Sequence, residues 1–236
     1  MATISWFELA WCLIPVLLVC AIYISWQGKP SEILFAAARM SVQLIAVGYV
    51  LISIFNNPSP WISLGIVSLM MVVAAWISVR PVRHHKGYFI PALIALSVSV
   101  GIHLLISLAL VLKADSWFEP RLLIPLAGMY FANSMNSISL AAERYHSELH
   151  AQVEEPKARL TAFHAAMIPQ INGLLAVGLV ALPGMMTGQI LSGVSPLIAV
   201  RYQIMIMTMV LGAAGVGAAL MLYILGKSRR NQQSHL

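Results

Sequence analysis

The stretch that decides the fold is 88–112, YFIPALIALSVSVGIHLLISLALVL, which contains no Asp, Glu, Lys or Arg. A helix needs about 20 consecutive apolar residues to cross the hydrocarbon core of a bilayer. Charged residues flank the stretch on both sides, with the basic 80–87 before it and the mixed 113–121 after it. The stretch therefore predicts a membrane-spanning helix.

Six further runs of the same kind lie on either side of this one. The chain of 236 residues is 60% hydrophobic and only 9% charged, with a mean hydropathy of +0.85, so that it has too few charges for the surface of a soluble protein. The runs are too long for barrel strands, which leaves helices as the structure that pairs every backbone group in lipid. We predict an all-α, polytopic membrane helix bundle, a single transmembrane domain over 1–236 whose other spans are 6–26, 36–55, 61–79, 122–142, 162–182 and 202–226.

The basic residues predict the orientation of the seven spans. Short cytoplasmic loops collect Lys and Arg, and an N-terminus outside the membrane puts eleven of these residues on the inner side and three on the outer side. The inner set is Lys29, Arg39, Arg80, Arg83, Lys86, Arg144, Lys157, Arg159, Lys227, Arg229 and Arg230, and the outer set is Lys113, Arg121 and Arg201. We expect the C-terminus in the cytoplasm. Because the basic residues are scattered rather than gathered on one face, the net charge of +6 does not indicate nucleic-acid binding.

One predicted cytoplasmic segment, 143–161, is rich in charge. Arg144 and Glu148, and Glu155 and Arg159, have the i, i+4 spacing that supports a solvated helix. Pro156 predicts a break with a new helix starting there. We call this segment the elbow. It is either a plain solvated helix hairpin or a docking surface for a partner, with candidate docking residues Glu148, Glu154, Glu155 and Arg159.

A few polar side chains lie inside the predicted spans. Polar groups at membrane depth are costly and face the bundle interior, an aqueous path or another helix. Contact between helices and the lining of a pathway both remain open for each of them. The pathway-lining candidates are Gln43, Asn133, Asn136, Asn172 and Gln203.

Proline and glycine mark the region around the sixth span. Weakened helices of this kind occur at the binding sites and hinges of transporters, although simple kinking is an alternative. The hinge candidates are Pro169, Pro183, Gly184 and Gly188. The stretch 183–201 is either an outer loop or a re-entrant or interfacial helix.

Metal ligands are suggested only weakly. Thioether sulfur suits soft ions such as Cu(I), which makes Met185, Met186 and Met205 candidates, but methionine more commonly serves flexible packing. His146 and His150 have the spacing of two ligands on one helical face. A metalloprotease is not indicated, because the acid that should follow the first histidine is replaced by serine.

Catalytic and nucleotide-binding motifs are not found in the sequence. Gly226-Lys227-Ser228 resembles the end of a P-loop, but Met221 occupies the position of the required first glycine. The predicted spans carry no paired carboxylates and no nucleophile with a base. We therefore do not expect an enzyme, and we expect no cofactor in this chain.

Four strings, in this order along the chain, resemble the FetB-type permease family. They are 42–51 VQLIAVGYVL, 124–129 IPLAGM followed by 133–135 NSM, 182–188 LPGMMTG, and 201–205 RYQIM. The resemblance covers nearly the whole chain, and the third and fourth strings are the most specific.

The resemblance implies the membrane subunit of an ABC transporter in the bacterial inner membrane, with a separate ATP-binding subunit that supplies ATP, and we expect the permease to work as a homodimer. In bacteria the family is associated with iron export and resistance to oxidative stress, whereas plant relatives are linked to aluminium tolerance. The chain departs from the family pattern between the fifth and sixth spans, where the stretch 141–169, which contains the elbow, is shorter and lacks a glycine. Either the elbow engages its partner in a modified way, or coupling is altered; the alternatives to the ABC permease are an ATP-independent cation channel or carrier and a non-transporting scaffold.

Overall fold

The computed structural model describes residues 5–84 and 87–233, with only the backbone described for Trp6 and for 230–233. The described residues are almost entirely helical, and their one pair of bridged extended residues is Val177 with Ala181. A 3-10 turn at Arg80–Val82 follows α4, and a π-helical turn at Ile106–Val111 extends α5. The α-helices are α1 (Trp6–Ala10), α2 (Leu13–Ser25), α3 (Ser31–Asn56), α4 (Pro60–Ser78), α5 (Phe89–Leu105), α6 (Pro120–His150), α7 (Glu155–Ala176), α8 (Gly184–Leu191) and α9 (Pro196–Gln233). The prediction of an all-α membrane protein is confirmed.

Among the described residues, five helical segments are long and apolar enough to cross a membrane. They are Phe7–Ser25, Ser31–Asn56, Pro60–Ser78, Phe89–Val111 and Pro196–Arg229. The two other predicted spans, 122–142 and 162–182, fall on α6 and α7, which are helical but more polar. The count of seven crossings stays a prediction.

The chain forms two compact units, Met1–Asn57 and Pro58–Leu236. In the first unit α2 packs against α3. Gly28 allows the connection between them, because its N–H donates to the Tyr23 carbonyl at 2.7 Å, and a Cβ at 28 would lie 2.9 Å from the Tyr23 ring. Helix α3 begins at Ser31, five residues before the predicted span, so most of the predicted loop from residue 27 is helical.

In the second unit, α6 packs against α4, α5, α7 and α9. Small side chains make the close contacts, as is common between helices in a membrane, where lipid removes the hydrophobic drive to associate. Larger side chains such as Tyr130 and Ile138 fill the remaining space along α6. The fully buried alanines include Ala127, Ala141 and Ala142 on α6, Ala158, Ala162 and Ala166 on α7, and Ala213, Ala214 and Ala218 on α9.

Helix α7 ends at Ala176, six residues before the predicted end of the sixth span. The backbone leaves the helical region at Val177, whose φ and ψ are −63° and 130°, and Gly178 follows with a φ of +88°, in the left-handed region that side chains disfavour. Its N–H donates to the Ala181 carbonyl at 2.9 Å, which closes a tight turn. The stretch 183–201 contains α8 and the start of α9, which therefore begins six residues before the predicted seventh span.

The elbow is a helix hairpin. Helix α6 continues to His150, and α7 begins at Glu155 with Pro156 in its first turn, where sequence predicts the new helix. The Gln152 N–H donates to the Leu149 carbonyl and the Val153 N–H to the Glu148 carbonyl, both at 3.1 Å. These two bonds form a Schellman cap, with Gln152 at φ +60° in the position that usually holds glycine.

Candidate functional site

A cavity of about 280 Å³ lies where α7 ends, and we call it the α9 cavity. Its walls come from the last turn of α7, the turn that follows, the start of α8 and the first half of α9. Most of the lining is aliphatic. Gln203 and Thr208 contribute polar atoms, and Met186 and Met207 contribute thioether sulfurs. Since the Thr208 hydroxyl donates to the Ile204 carbonyl at 2.8 Å, the amide of Gln203 is the principal polar group of the cavity.

The backbone around the α9 cavity is shaped by Gly178 and Pro183, both of which line it. Pro183 precedes α8, and its carbonyl accepts bonds from the N–H and the hydroxyl of Thr187 at 3.0 and 3.1 Å. The other three hinge candidates lie inside regular helix. Pro169 is within α7, and Gly184 and Gly188 are within α8.

The four pathway candidates of the second unit do not lie in one place, and the fifth, Gln43, belongs to the first unit. Gln203 is 6% exposed and lines the α9 cavity. Asn133 is half-buried and its amide donates to the Met129 carbonyl of its own helix at 2.9 Å. Asn136 and Asn172 are exposed on α6 and α7, and Gln43 is exposed on α3 of the first unit. Of the five, Gln203 alone borders the α9 cavity.

Buried polar contacts join the helices of the second unit at positions that the pathway candidates do not include. Gln170 on α7 donates from Nε2 to the Ser137 hydroxyl on α6 at 3.2 Å, and that hydroxyl donates to the Ala166 carbonyl at 3.3 Å. The hydroxyls of Ser107 and Tyr130 are 2.7 Å apart. In the sequence, a polar residue that shares its helical face with apolar residues indicates such a buried contact.

The methionine candidates are separated. Met186 lines the α9 cavity, where Met207 faces it from α9, whereas Met205 is 8% exposed within the core and Met185 packs partly buried against that core. Within the described ranges, no three His, Cys, Asp or Glu side chains are grouped as metal ligands would be. The cavity thus offers one amide, whose oxygen is a hard donor, and two thioethers, which are soft donors, and all three are uncharged, weak metal ligands.

At the other end of α7, the carboxylate of Glu155 receives contacts from two other residues. Arg159 lies 3.8 Å from it, and the hydroxyl of Tyr145 on α6 donates to it at 3.5 Å. Burial, together with the negative charge of Glu155, raises the pKa of Tyr145 to about 12. Arg144 and Glu148 form the second predicted pair, at 2.6 Å.

Helix α9 meets this group through a glycine. A Cβ at Gly226 would lie 2.5 Å from Oε1 of Glu155 and 3.6 Å from the Tyr145 hydroxyl oxygen. From the sequence alone, Gly226 is considered only as part of an incomplete P-loop motif. The structure places α7 next to α9, and this position shows that Gly226 permits their close packing. A cavity of about 520 Å³ opens beside it, bordered by Glu154, Glu155 and Arg229.

Of the four docking candidates, Glu154 is exposed, and Glu148, Glu155 and Arg159 are half-buried. The two histidine candidates also lie at this end. His146 and His150 line a second cavity of about 400 Å³ together with Arg229. The Tyr88 hydroxyl lies 3.4 Å from Nδ1 of His146.

Comparison with known sequences assigns the chain to a family. The family described as Uncharacterised protein family (UPF0014) matches residues 6–229. A UPF0014 membrane protein of Synechocystis sp. is 35% identical over 227 residues, which cover 88% of this chain and 87% of that protein. The probable iron export permease protein FetB of Escherichia coli is 31% identical over 239 residues, 94% of this chain and 91% of that protein.

A plant protein is similar to a comparable degree. The Arabidopsis thaliana protein ALUMINUM SENSITIVE 3 is 30% identical over 229 residues, 89% of this chain and 82% of that protein. No solved structure matches the chain. The chain is a multi-pass helical membrane protein and belongs to the UPF0014 family.

Proposed function

We propose that this chain is the membrane-spanning permease subunit of an ABC transporter that exports a metal cation, with iron as the first candidate. The observation that carries the proposal is the similarity to the FetB protein, which covers 91% of that protein's length. Export of iron would link the chain to resistance against oxidative stress. The name of the Arabidopsis relative, which refers to aluminium, supports metal cations as the class of cargo.

The proposal includes seven crossings, with the N-terminus outside and the C-terminus in the cytoplasm. Packing of α6 against α4, α5 and α9, each of which contains a candidate span, supports a crossing by α6. Helix α7 returns antiparallel to α6 after the elbow and packs against α6 and α9. Burial of Ser134, Ser137 and Gln170 keeps these three polar side chains away from lipid, whereas Asn136 and Asn172 on the same two helices are exposed. The excess of basic residues on the inner side supports the orientation.

In this proposal, cargo passes along α6, α7 and α9. The α9 cavity would form the outer part of the path, where Gln203 offers an amide oxygen, and the turn at Gly178 would let the end of α7 move. Weak donors suit a site that must release its ion. Movement of the cavity walls would alternate access between the two sides.

Energy would enter at the elbow. A separate ATP-binding subunit would dock on its charged surface, with one copy for each permease of a homodimer in the bacterial inner membrane. The contacts of Glu155 with Tyr145 and Arg159, and its close approach to Gly226, connect the elbow to α9. Displacement of the elbow would therefore move the helix that forms one wall of the α9 cavity.

Copurification from native membranes tests the partnership. The tagged chain should recover an ATP-binding subunit, and reversal of the exposed charge at the elbow by Glu154→Lys should reduce that recovery several-fold. Asp115→Lys reverses an exposed charge outside the elbow, in the loop between α5 and α6, and serves as the matched control. Repeated recovery of the chain without any ATP-binding protein, under conditions that keep permease complexes intact, would refute the proposal.

A further inference from the structure

The second cavity at the elbow end, of about 400 Å³, has a distinct chemistry, and we call it the basic cavity. It lies between the residues that precede α5, the last turns of α6 and the last turns of α9. No carboxylate side chain is among the described residues that line it. The polar side chains of its lining are Tyr88, Tyr145, His146, His150, Ser228 and Arg229, each of which can donate a hydrogen bond.

Helical spacing explains why two of these donors share the cavity. His146 and His150 are four residues apart on α6, so their side chains lie on the same face. The ring of His146 meets the ring of Tyr88 edge-on, with centroids 6.3 Å apart, which holds the two side chains in the wall. His150 is exposed and reaches the cavity from the last residue of the helix.

Arg229 determines which kind of ligand can bind beside the two histidines in the basic cavity. Two histidines at this spacing suit a divalent metal, but a guanidinium that lines the same cavity would repel one. A third ligand from Cys, Asp or Glu is not grouped with them among the described residues. Arginine instead pairs with phosphate oxygens through two parallel N–H bonds, and the nearby hydroxyls can donate to the same group.

The end of α6 also lies here, and free carbonyls at a helix C-terminus would disfavour an anion. Three of the four carbonyls of the last turn are already used. Those of Ser147, Glu148 and Leu149 accept bonds from the N–H groups of 151, 153 and 152 at 3.0 to 3.1 Å. The carboxylates of Glu154 and Glu155 border the adjoining cavity of about 520 Å³, which Arg229 also lines. Glu155 lies 3.8 Å from Arg159, and Glu154 is exposed to solvent. The C-terminus of α6 therefore disfavours an anion beside Arg229 less than a helix end with free carbonyls would.

We propose that the basic cavity binds a phosphate group. The ligand is either the headgroup of an anionic phospholipid of the adjoining leaflet or a soluble phosphate. Binding would tie the end of α9 to the end of α6, next to the contact between Gly226 and Glu155. Its location on the cytoplasmic side rests on the orientation proposed above, whereas the binding itself does not depend on a transport function.

The test uses the purified full chain without any ATP-binding subunit, so that a failure of the transport proposal does not affect it. Thermal unfolding is followed with increasing inorganic phosphate in nanodiscs of phosphatidylcholine, and native mass spectrometry measures retention of phosphatidylglycerol. A ligand that binds the folded state raises the unfolding temperature with its concentration. The wild type should respond to at least one probe, and the responding probe identifies the source as lipid or soluble phosphate.

Variants at Arg229 separate a built site from general charge attraction. Arg229→Gln should weaken binding about tenfold or more, the usual effect of losing a charged hydrogen-bond partner. Arg229→Lys keeps the charge and should retain part of the affinity. Lys227→Gln removes a neighbouring exposed charge that does not line the cavity, and it should change the affinity less than twofold.

Three results would overturn the proposal. The first is no response of the wild type to either probe. The second is an equal loss of binding in Arg229→Gln and Lys227→Gln, because that indicates attraction by surface charge alone. The third is tight binding of Zn²⁺ that requires both His146 and His150 and is unaffected by Arg229→Gln, because the cavity would then be a metal site.

Discussion

Gly226 on α9 faces Glu155 on α7 so closely that a Cβ at 226 would lie 2.5 Å from Oε1 of the carboxylate. Helix α9 borders the α9 cavity in its first half and reaches the elbow at this glycine. The contact therefore connects the proposed docking surface to the proposed transport path. One added methyl group at position 226 alters this contact, so that a single substitution tests it directly.

Gly226→Ala should lower the free energy of unfolding by about 1 kcal/mol or less relative to Gly101→Ala, because the added methyl displaces the carboxylate at the flexible end of the Glu155 side chain and weakens its contacts with Tyr145 and Arg159. Thermal or denaturant unfolding in detergent measures the effect. Gly101→Ala is the matched control, since the Cβ built at 101 on α5 meets nothing within 4 Å. Shortening the partner by Glu155→Asp should recover part of the loss. If Gly226→Ala costs no more than Gly101→Ala, the close approach is not a feature of the protein.

Gly178→Ala should destabilise the protein by about 1–2 kcal/mol, because alanine must then adopt the left-handed conformation that glycine holds at φ +88°. Gly188→Ala is the control, as it lies within α8 with open space around its Cβ and should be neutral or slightly stabilising. Unfolding temperatures of the two variants compare them. If Gly188→Ala lowers the unfolding temperature more than Gly178→Ala does, the hinge lies in α8 and not at the end of α7.

Ser137→Ala removes the hydroxyl that accepts the bond from Gln170 and leaves the amide without it. The expected cost is about 0.5–2 kcal/mol, the range found for hydrogen bonds between membrane helices. Combining the change with Gln170→Leu should cost less than the sum of the two single changes, as a double-mutant cycle would measure. Asn172→Leu changes an exposed position on α7, the helix that carries Gln170, and its effect on the free energy of unfolding should be additive with that of Ser137→Ala. Strict additivity of the Ser137 and Gln170 changes would contradict the pairing.

The raised pKa of Tyr145 predicts a loss of stability at alkaline pH. The folded protein holds the phenol proton up to a pKa of about 12, whereas the unfolded chain releases it near the ordinary value of 10. The contribution of Tyr145 is therefore complete below pH 10 and is lost as the pH rises from 10 to 12. Unfolding free energies at pH 8 to 11.5 should fall more steeply for the wild type than for Tyr145→Phe. Equal slopes would show that burial does not affect this phenol.

The helices could be predicted from the sequence, because an apolar run long enough to cross a membrane can form few structures other than a helix. The elbow was equally accessible, since Pro156 and the two i, i+4 charge pairs are local signals and all appear as expected. The end of α7 was missed, because the backbone becomes extended at Val177 and turns through left-handed Gly178 while the apolar run continues to Leu182.

The candidate site was accessible only in part, because it depends on which helices are neighbours. Gln203, Pro183 and Met186 were selected from sequence and meet at the α9 cavity. Asn136 and Asn172 were selected on the same grounds and are exposed, because a polar side chain in a span does not reveal which face of the helix is covered. Gly226 was missed because its partner, Glu155, is 71 residues earlier in the chain.

The central claim is that this chain moves a metal cation with energy from a separate ATP-binding subunit. The most direct test is transport of iron across vesicles that contain the purified chain, with and without that subunit and ATP. The account predicts that iron moves only when chain, subunit and ATP are all present, and that Gly226→Ala reduces this movement although the subunit still binds. Iron transport by the chain alone without nucleotide, or none with all components present and folded, would contradict the account.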